Sequence, residues 1–443
     1  MNILVFAYVF PPDAGSGTYR TLYFANEWAR LGDGVTIVTV KEECFLSTAL
    51  VDRGLCKEVH PSIRVVRASA VRPLEKLLEI RSAFRRKNSK LQGADPASGS
   101  ELKNSTRTHG MFRRFKDTMT DLLSCPDEHI GWAPDAVRRG YEITKAIRVD
   151  CIYATGGPWS GLLAATVLHK LRGIPLVLDF RDPWVSNPNL FAKSRLSRSL
   201  QIRMESVCVR SAKMVIANTE ELRQDFTKRY VHMDSNRFAT VTNGFEQVFG
   251  KDVASSDRFT LVHAGELYRS RNPLNFLRAV VDLLNRGTIP ADRLKIQLIG
   301  GLSIADAAME SELSSGVLRS VLEIKPRVSH DEVLTIQQSA TALFLIQTGF
   351  PLQVPRKLYE YLSLARPILA IAEPHSATAR MIRELGAGYV ADDSVDAIGT
   401  AILELYRAWE SGAMPRVVES KLHTYSNRYL SGKLRNIMLS CAI

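Results

Sequence analysis

Two cations and a carboxylate follow Pro355 at a spacing that suits the binding of a diphosphate ester. Arg356 and Lys357 come directly after the proline, whose fixed φ and missing N–H suit the first turn of a helix. Glu360 lies one helical turn after Lys357. Free N–H groups at a helix start, with two cations beside them, can bind a diphosphate. A carboxylate one turn further on can accept hydrogen bonds from two ribose hydroxyls. The same pattern also fits an amphipathic helix with a solvated basic start and an ordinary Lys–Glu pair.

The surrounding sequence predicts the elements that would position these side chains. The apolar run 342–346 predicts a buried strand. Apolar residues within 358–365 recur at helical spacing and predict a helix, and residues 368–371 predict the next strand. This order of strand, loop, helix and strand is half of a nucleotide-binding sheet. Strands alternate with helices in two successive sets, one starting at residue 3 and one at residue 259. The pattern therefore predicts the α/β class, with two doubly wound Rossmann-like domains that face each other across a cleft.

The stretch VPRKLYEYLSLARPILAIAEPHSATARMIRELGAG, residues 354–388, resembles the donor-site segment of glycosyltransferase family 4. That family comprises retaining enzymes with the two-domain GT-B fold. The resemblance implies that Glu360 holds the nucleotide ribose. The family usually has a second glutamate eight positions earlier, where this chain has Leu352. The segment Asp-Phe-Arg-Asp-Pro-Trp, residues 179–184, is similar to one in the branch of the family that acts in cell-surface polysaccharide assembly.

A glycine-rich loop, residues 11–20, follows the first predicted strand. Gly15 and Gly17, on either side of Ser16, let the backbone approach a ligand closely, and the following helix offers its N-terminus. The loop can equally be read as a tight βα turn. Family 4 chains often begin with a strand, two prolines and a glycine pair, and the resemblance implies that this loop faces the donor phosphates and the acceptor.

Two further predicted strands of the first domain end in polar or glycine residues. Gly156 lies in a glycine turn after one strand, and Arg181 and Asp182 follow the next. Ligands bind at the carboxyl ends of strands in open α/β sheets. We therefore expect Arg181 and Asp182 to contact the acceptor or the leaving diphosphate, unless they form an internal ion pair that fixes the loop. Arg20 is placed on the acceptor side with them.

The loop after residue 265 carries the basic side chains of the second domain. The family resemblance implies a basic pair here that neutralises the diphosphate. The usual arginine just after the glycine is replaced by Glu266, so Arg269 or Arg271 must take that role, and Arg271 is favoured. The predicted catalytic residues are Arg271, Lys357 and Asp182. The residues predicted to bind the donor are Gly15, Ser16, Gly17, Arg269, Arg356 and Glu360, and those predicted on the acceptor side are Arg20, Gly156 and Arg181.

The predicted domains are an N-terminal acceptor-side domain over 1–245, a nucleotide-sugar-binding domain over 246–415, and a helical tail over 416–443 that packs back on the first domain. A basic, mobile insertion is expected at about 85–110, because this stretch has almost nothing to bury. Its flanks combine basic and apolar residues at helical spacing, which suits the cytoplasmic face of a membrane with anionic lipid. A solvated linker between two ordinary helices would also fit.

The composition is that of a soluble globular protein with an anionic partner. The formal net charge is +12, and the sequence pI is about 9.4. No zinc-finger or aromatic RNA-binding signature is present, so nucleic acid is not expected. The six cysteines form no Cys-x-x-Cys pair, which favours reduced thiols in the cytoplasm. The apolar N-terminus is interpreted as a strand and not as a signal peptide.

The sequence therefore predicts a retaining glycosyltransferase that moves a sugar from a nucleotide-diphosphate donor to a glycan or polyprenyl-linked acceptor, peripherally at the inner face of the cell membrane. No metal or other cofactor is expected, because cations and helix N-termini can stabilise the leaving group. The adjacent pair Asp392 and Asp393 is interpreted as a helix cap. A nucleotide-sugar epimerase with the same two sheets is one alternative. A degenerate, nucleotide-binding partner of another transferase is the other, and Leu352 would fit it.

Overall fold

The computed structural model describes residues 1–47, 49–71, 121–190, 194–246, 257–268, 271–303 and 307–442. The chain divides into two compact units. The first comprises residues 1–216, 231–239 and 434–443, and the second comprises residues 217–230 and 240–433. The domain boundaries expected at 245 and 415 from the sequence are still a prediction. The basic insertion at about 85–110 lies outside the described residues.

The first sheet has seven strands in the order β3-β2-β1-β4-β5-β6-β7. These are β1 Asn2–Phe6, β2 Gly34–Val40, β3 Arg64–Ala68, β4 Cys151–Gly156, β5 Leu176–Phe180, β6 Met214–Ala217 and β7 Phe238–Thr240. The helices between them are α1 Ser16–Arg30, α2 Ala133–Ala146, α3 Ser160–Arg172, α4 Arg195–Ser211 and α5 Glu220–Arg229. Strand β1 pairs in parallel with both β2 and β4, so the chain changes direction across the sheet at the β1–β4 pair.

The second sheet has six strands in the order β10-β9-β8-β11-β12-β13. These are β8 Phe259–Ala264, β9 Leu294–Ile299, β10 Leu322–Lys325, β11 Ala342–Ile346, β12 Ile368–Ile371 and β13 Gly388–Ala391. The helices of this part of the chain are α6 Leu274–Asn285, α7 Ala307–Leu313, α8 Gly316–Arg319, α9 His330–Ser339, α10 Arg356–Ser363, α11 Ala377–Glu384, α12 Val395–Glu410, α13 Glu419–Leu422 and α14 Asn427–Ala442.

Strand β11 shows why these sequences form central strands. All five of its residues are buried. Phe344 and its neighbours on one face belong to the core that includes residues of α6 and α12. Leu343 and Leu345 on the other face belong to the core that includes residues of α10 and α11. A parallel strand that is covered on both faces needs a continuous apolar run rather than alternation. The two doubly wound sheets confirm the predicted α/β class.

The order of each sheet reverses at a pair of adjacent strands, β1 and β4 in the first and β8 and β11 in the second. In open α/β sheets, ligands bind outside the carboxyl ends of the strands at this reversal. The residues that follow β8 and β11 are therefore those to consider in the second unit. In the first unit they are the residues that follow β1, β4 and β5.

Candidate functional site

The loops after β8 and β9 each contain a glycine in a backbone conformation that other residues rarely adopt. Gly265 has a φ of +126°, and its N–H donates to the Ile299 carbonyl at 2.6 Å. Gly300, after β9, has a φ of +112°, and a Cβ there would lie 2.8 Å from the carbonyl carbon of Gly265. The two loops therefore touch backbone to backbone. Gly300 was not among the predicted site residues, although its position directly after a predicted strand could have indicated a loop that approaches a ligand.

Lys357, in the first turn of α10, occupies the space above Gly265. A Cβ at Gly265 would lie 2.1 Å from the lysine Nζ and 3.0 Å from its Cε. Any side chain at residue 265 would therefore displace the ammonium group. Burial, and next the nearby charge of Arg271, lower the pKa of Lys357 from 10.5 to about 8, against the opposing effect of Glu360. The folded protein thus holds a half-buried cation that is only weakly compensated.

His263, on β8, lies directly beside this lysine and was interpreted from the sequence only as packing. Its side chain is fully buried, and Nδ1 lies 3.0 Å from the Phe344 carbonyl oxygen. Because a carbonyl oxygen only accepts, Nδ1 carries the proton, and Nε2 keeps a lone pair. Nε2 lies 3.5 Å from the Lys357 Nζ.

The protonation state of His263 follows from its surroundings. Burial, and next the charge of Lys357, hold the pKa of His263 well below its usual value of 6.5. Two cations at the observed 3.5 Å separation would repel each other by about 5 kcal/mol at an effective dielectric constant of about 20. His263 is therefore the neutral partner and Lys357 is the charged one.

Arg271 is the second cation of this site. Its Nη2 approaches Gln347 Oε1 at 3.5 Å, and its guanidinium lies 5.3 Å from the centre of the Tyr268 ring. Its Nε is buried and has no hydrogen-bond partner among the described residues. Arg271 is close enough to Lys357 to disfavour the charge of the lysine, so an anion bound beside them would relieve the repulsion. The structure thus brings together the two predicted catalytic cations of the second unit.

Helix α10 is held at the ends of β8 and β11 by Tyr361. The Tyr361 hydroxyl accepts from the Ala264 N–H at 3.2 Å and lies 3.5 Å from the Phe344 carbonyl, and burial raises the pKa of this phenol. The helix begins after Pro355, with no side-chain cap and no acidic residue in its first turn. No side-chain cap or first-turn carboxylate therefore competes with an anion at this helix start.

Arg356 and Glu360 are paired with each other on the outer side of α10. The arginine Nε lies 3.1 Å from Glu360 Oε1, and both side chains are about a third or more exposed. The simple helical pair that the sequence allowed is thus formed by Arg356 and not by Lys357. Whether Glu360 binds a ribose remains a prediction. Glu266 accepts a hydrogen bond from the Ser303 hydroxyl, and Arg269 lies outside the described residues.

Arg20, in the first unit, is bound to a buried carboxylate. Its Nε and Nη2 donate to the two oxygens of Asp179 at 2.8 and 3.0 Å. Tyr153 and Thr155 also donate to Asp179, at 2.5 and 3.1 Å. All four side chains are buried. The arginine–aspartate pair therefore joins α1 to β5, and the predicted acceptor role of Arg20 remains a prediction.

The glycine loop is ordered by Asp13, which the sequence analysis did not single out. Asp13 Oδ1 accepts from the Gly15 N–H at 2.7 Å and contacts the Thr18 hydroxyl at 3.4 Å. A bond from an aspartate side chain to the backbone N–H two residues later is an Asx-type turn. The sequence could have indicated this turn, because Asp13 lies two residues before a glycine. Gly15 is the N-cap of α1 without a side-chain cap, and Ser16 is exposed.

Arg181 meets this loop from the end of β5. A Cβ at Gly17 would lie 1.8 Å from the Arg181 Nη1, so only glycine leaves room for the guanidinium. Arg181 Nε donates to the Gly156 carbonyl at 3.4 Å, and Nη2 donates to the Gly157 carbonyl. Burial lowers the pKa of Arg181, and the neighbouring Asp182 opposes that shift. The structure thus brings Gly17, Gly156 and Arg181 together, with Asp182 beside them.

The described residues offer neither a metal-binding cluster nor a membrane-spanning helix. No group of three or more His, Cys, Asp or Glu side chains is arranged to hold a metal ion in this part of the chain. Within the same residues, no helix has both the length and the apolar character needed to cross a membrane.

Comparison with known proteins adds a partial family match. Residues 106–244, less than half of the chain, match the model of the Glycosyl transferase 4-like domain. No curated protein sequence matches the chain.

Solved structures match over nearly the whole length of the chain. HepE of Anabaena, solved in complex with UDP, aligns with a TM-score of 0.62 and 12% identity, over 99% of this chain and 100% of that one. An alpha,alpha-trehalose-phosphate synthase (UDP-forming) from Burkholderia vietnamiensis aligns with a TM-score of 0.58 and 12% identity, over 99% of each chain. A mutant of S. aureus TarM, solved with fondaparinux, alpha-GlcNAc-glycerol and UDP, aligns with a TM-score of 0.57 and 10% identity, over 99% of each chain.

At this level of identity the likeness concerns the fold. The two doubly wound sheets have the architecture of GT-B glycosyltransferases, which confirms the predicted fold.

Proposed function

We propose that this protein is a glycosyltransferase that moves a sugar from a nucleotide-diphosphate donor to a glycan or polyprenyl-linked acceptor. One observation carries the proposal: the Lys357 ammonium lies against the Gly265 backbone, beside Arg271, at the carboxyl ends of β8 and β11. This is the position at which open α/β sheets bind nucleotides. The uncapped start of α10 lies at the same place.

In the proposed reaction, Lys357 and Arg271 stabilise the leaving group. The bond from the anomeric carbon to the phosphate oxygen breaks, and the nucleotide diphosphate leaves with the electron pair. The acceptor hydroxyl bonds to the same face of the sugar, and its proton passes to the leaving phosphate. Arg271 and Lys357 neutralise the charge that grows on the diphosphate, at about 2–4 kcal/mol for each well-placed donor. Retention, independence of metal and a role for Asp182 follow the family resemblance.

The acceptor and the location are proposed on other grounds. The net charge of +12 suits an anionic surface, and residues 179–184 resemble the polysaccharide branch of family 4. The Glycosyl transferase 4-like match over residues 106–244 is consistent with this assignment. We therefore propose a polysaccharide or lipid-linked acceptor and a peripheral position at the cytoplasmic face of the cell membrane.

The test is calorimetric titration with UDP, GDP and ADP and their common sugar conjugates, with and without magnesium. We expect one nucleotide family to bind without metal. Lys357→Met should weaken that binding, whereas Lys228→Met, which changes an exposed lysine on α5, should leave it unchanged. The tightest conjugate is then incubated with and without glycan acceptors, free and polyprenyl-linked, and the products are analysed by mass spectrometry.

The outcomes separate the alternatives. Transfer of the sugar supports the proposal. Conversion of the nucleotide sugar into its epimer, without any acceptor, would identify an epimerase instead. Binding without turnover would favour the degenerate partner, and absence of binding to every nucleotide would overturn the donor site itself.

A further inference from the structure

We propose that His263 is a positioning residue for Lys357, acting through its unprotonated Nε2 to hold the ammonium group over Gly265 where the donor diphosphate binds. The inference rests on the proposed function, because it assigns a role within that same site. It adds a residue that makes no contact with the donor itself, since the histidine side chain is fully buried.

The first step is the fixed orientation of the imidazole. Nδ1 donates to the Phe344 carbonyl at 3.0 Å, and the ring lies 5.1 Å from the Phe344 ring. The carbonyl belongs to β11, the strand adjacent to β8. A ring fixed in this way presents its other nitrogen in one direction only, and that direction is toward the Lys357 Nζ at 3.5 Å.

Among the described residues, His263 is the hydrogen-bond partner that the structure gives the Lys357 ammonium. Glu360, the acidic residue nearest to it in its helix, is paired with Arg356 at 3.1 Å. Arg271 repels it, and the glycine below it offers no side chain. Among the described residues, the charged and titratable groups that act on Lys357 are therefore the neutral His263, the cation Arg271 and the carboxylate of Glu360, which is paired with Arg356. Without the histidine, a flexible lysine stem would have to be ordered by the ligand, at a cost in affinity.

The experiment compares His263→Gln with His263→Leu, each in the wild-type and Lys357→Met backgrounds. The glutamine amide oxygen can take the place of Nε2, whereas leucine provides no acceptor. Affinity for the nucleotide that binds the wild type is measured by calorimetry from pH 6.5 to 9.5. In parallel, the pH dependence of Lys357 acetylation in the unliganded protein is followed by mass spectrometry, which reports the lysine's own titration without any nucleotide.

We expect His263→Leu to weaken nucleotide binding about tenfold and to shift the acetylation midpoint of Lys357 to lower pH, because the acceptor favours the charged amine. His263→Gln should restore most of both properties. In the Lys357→Met background, neither histidine variant should change the affinity further, since the coupling of the pair has already been removed.

Two results would overturn the inference. Equal affinities and equal Lys357 titration in the wild type and both histidine variants would show that His263 only packs. Equal losses with and without Lys357 would show that it acts by another route. If no nucleotide binds to the wild type but Lys357 still titrates differently in His263→Leu, the contact is real and the proposed function has failed. Failure of the coupling with intact nucleotide binding would remove only this inference.

Discussion

Replacing Lys357 with methionine should make the unliganded protein more stable and its nucleotide binding weaker. Methionine keeps the length of the stem and removes the charge. The pKa of Lys357 is about 8 in the folded protein against 10.5 in the unfolded chain, so folding disfavours the charged form. Each unit of such a difference corresponds to about 1.4 kcal/mol. Because Lys357 is only half-buried and solvent screens its charge, we expect a gain on the order of 1–2 kcal/mol at pH 7.

The pH dependence gives the sign of this effect. A lysine with a lowered folded pKa carries its full penalty below pH 8, and the penalty falls between pH 8 and 10.5 as the folded form loses its proton. The stability difference between Lys357→Met and the wild type should therefore be largest at pH 7 and shrink toward pH 10. For a unit of about 200 residues, the gain corresponds to a rise of about 2–8 °C in Tm.

The loss of binding follows from the same charge. A hydrogen bond to a charged group contributes about 1.5–3 kcal/mol, so the Kd for the nucleotide diphosphate should rise roughly 10- to 150-fold. Differential scanning calorimetry across pH and isothermal titration at pH 7 measure the two effects on one protein. A variant that is less stable than the wild type and binds as well would refute the reasoning, because Lys357 would then be an ordinary structural lysine.

Three further changes test other parts of the molecule. Asp179→Asn should destabilise the protein by about 3–5 kcal/mol in urea unfolding, because it removes the carboxylate charge that faces the buried Arg20; a loss below 1 kcal/mol would contradict this. Asp33 accepts from Arg435 and from the N-terminal amine; burial raises its pKa, but these hydrogen bonds outweigh burial and lower it overall. Stability from Asp33 should thus be present above about pH 4 and lost as the pH falls through its folded pKa, and Asp33→Asn should flatten that acid limb. Deletion of 85–110 should release the protein from anionic liposomes but not alter nucleotide affinity; retention on the liposomes would refute the membrane role.

The sequence predicted the sheets because their strands are encoded locally. The run 342–346 is apolar throughout, and the structure buries all five residues between two layers of helices. Lys357 was predicted from the local pattern of a helix start, and Arg271 was named through the family resemblance; the catalytic roles of both stay predictions. Contacts between elements were not: His263 and Lys357 are 94 positions apart, and only the pairing of β8 with β11 beside α10 brings them together.

The same reason explains why the partner of Glu360 could not be predicted. The sequence left open an ordinary pair of Lys357 with Glu360. In the structure Arg356, four positions before the glutamate, is paired with that carboxylate, and Lys357 points toward Gly265. Asp13 was passed over because its role is to hold backbone groups in the glycine loop and not to do chemistry. Spacing along a helix predicts which residues can meet, but the neighbouring strand decides which one does.

The contrast between the buried charges of the two units points to where an anion binds. In the first unit, Arg20 has a bidentate carboxylate partner in the core, and the charges of Asp182 and Asp179 oppose the effect of burial on Arg181. In the described part of the second unit, Lys357 and Arg271 lie together, and the nearby carboxylate of Glu360 is paired with Arg356. They lie at a helix start, where the helix dipole opposes cations. Natural sequences break such local rules mainly where function requires it. A bound diphosphate would reverse each of these penalties at once, which is why we propose that the nucleotide binds to the second unit.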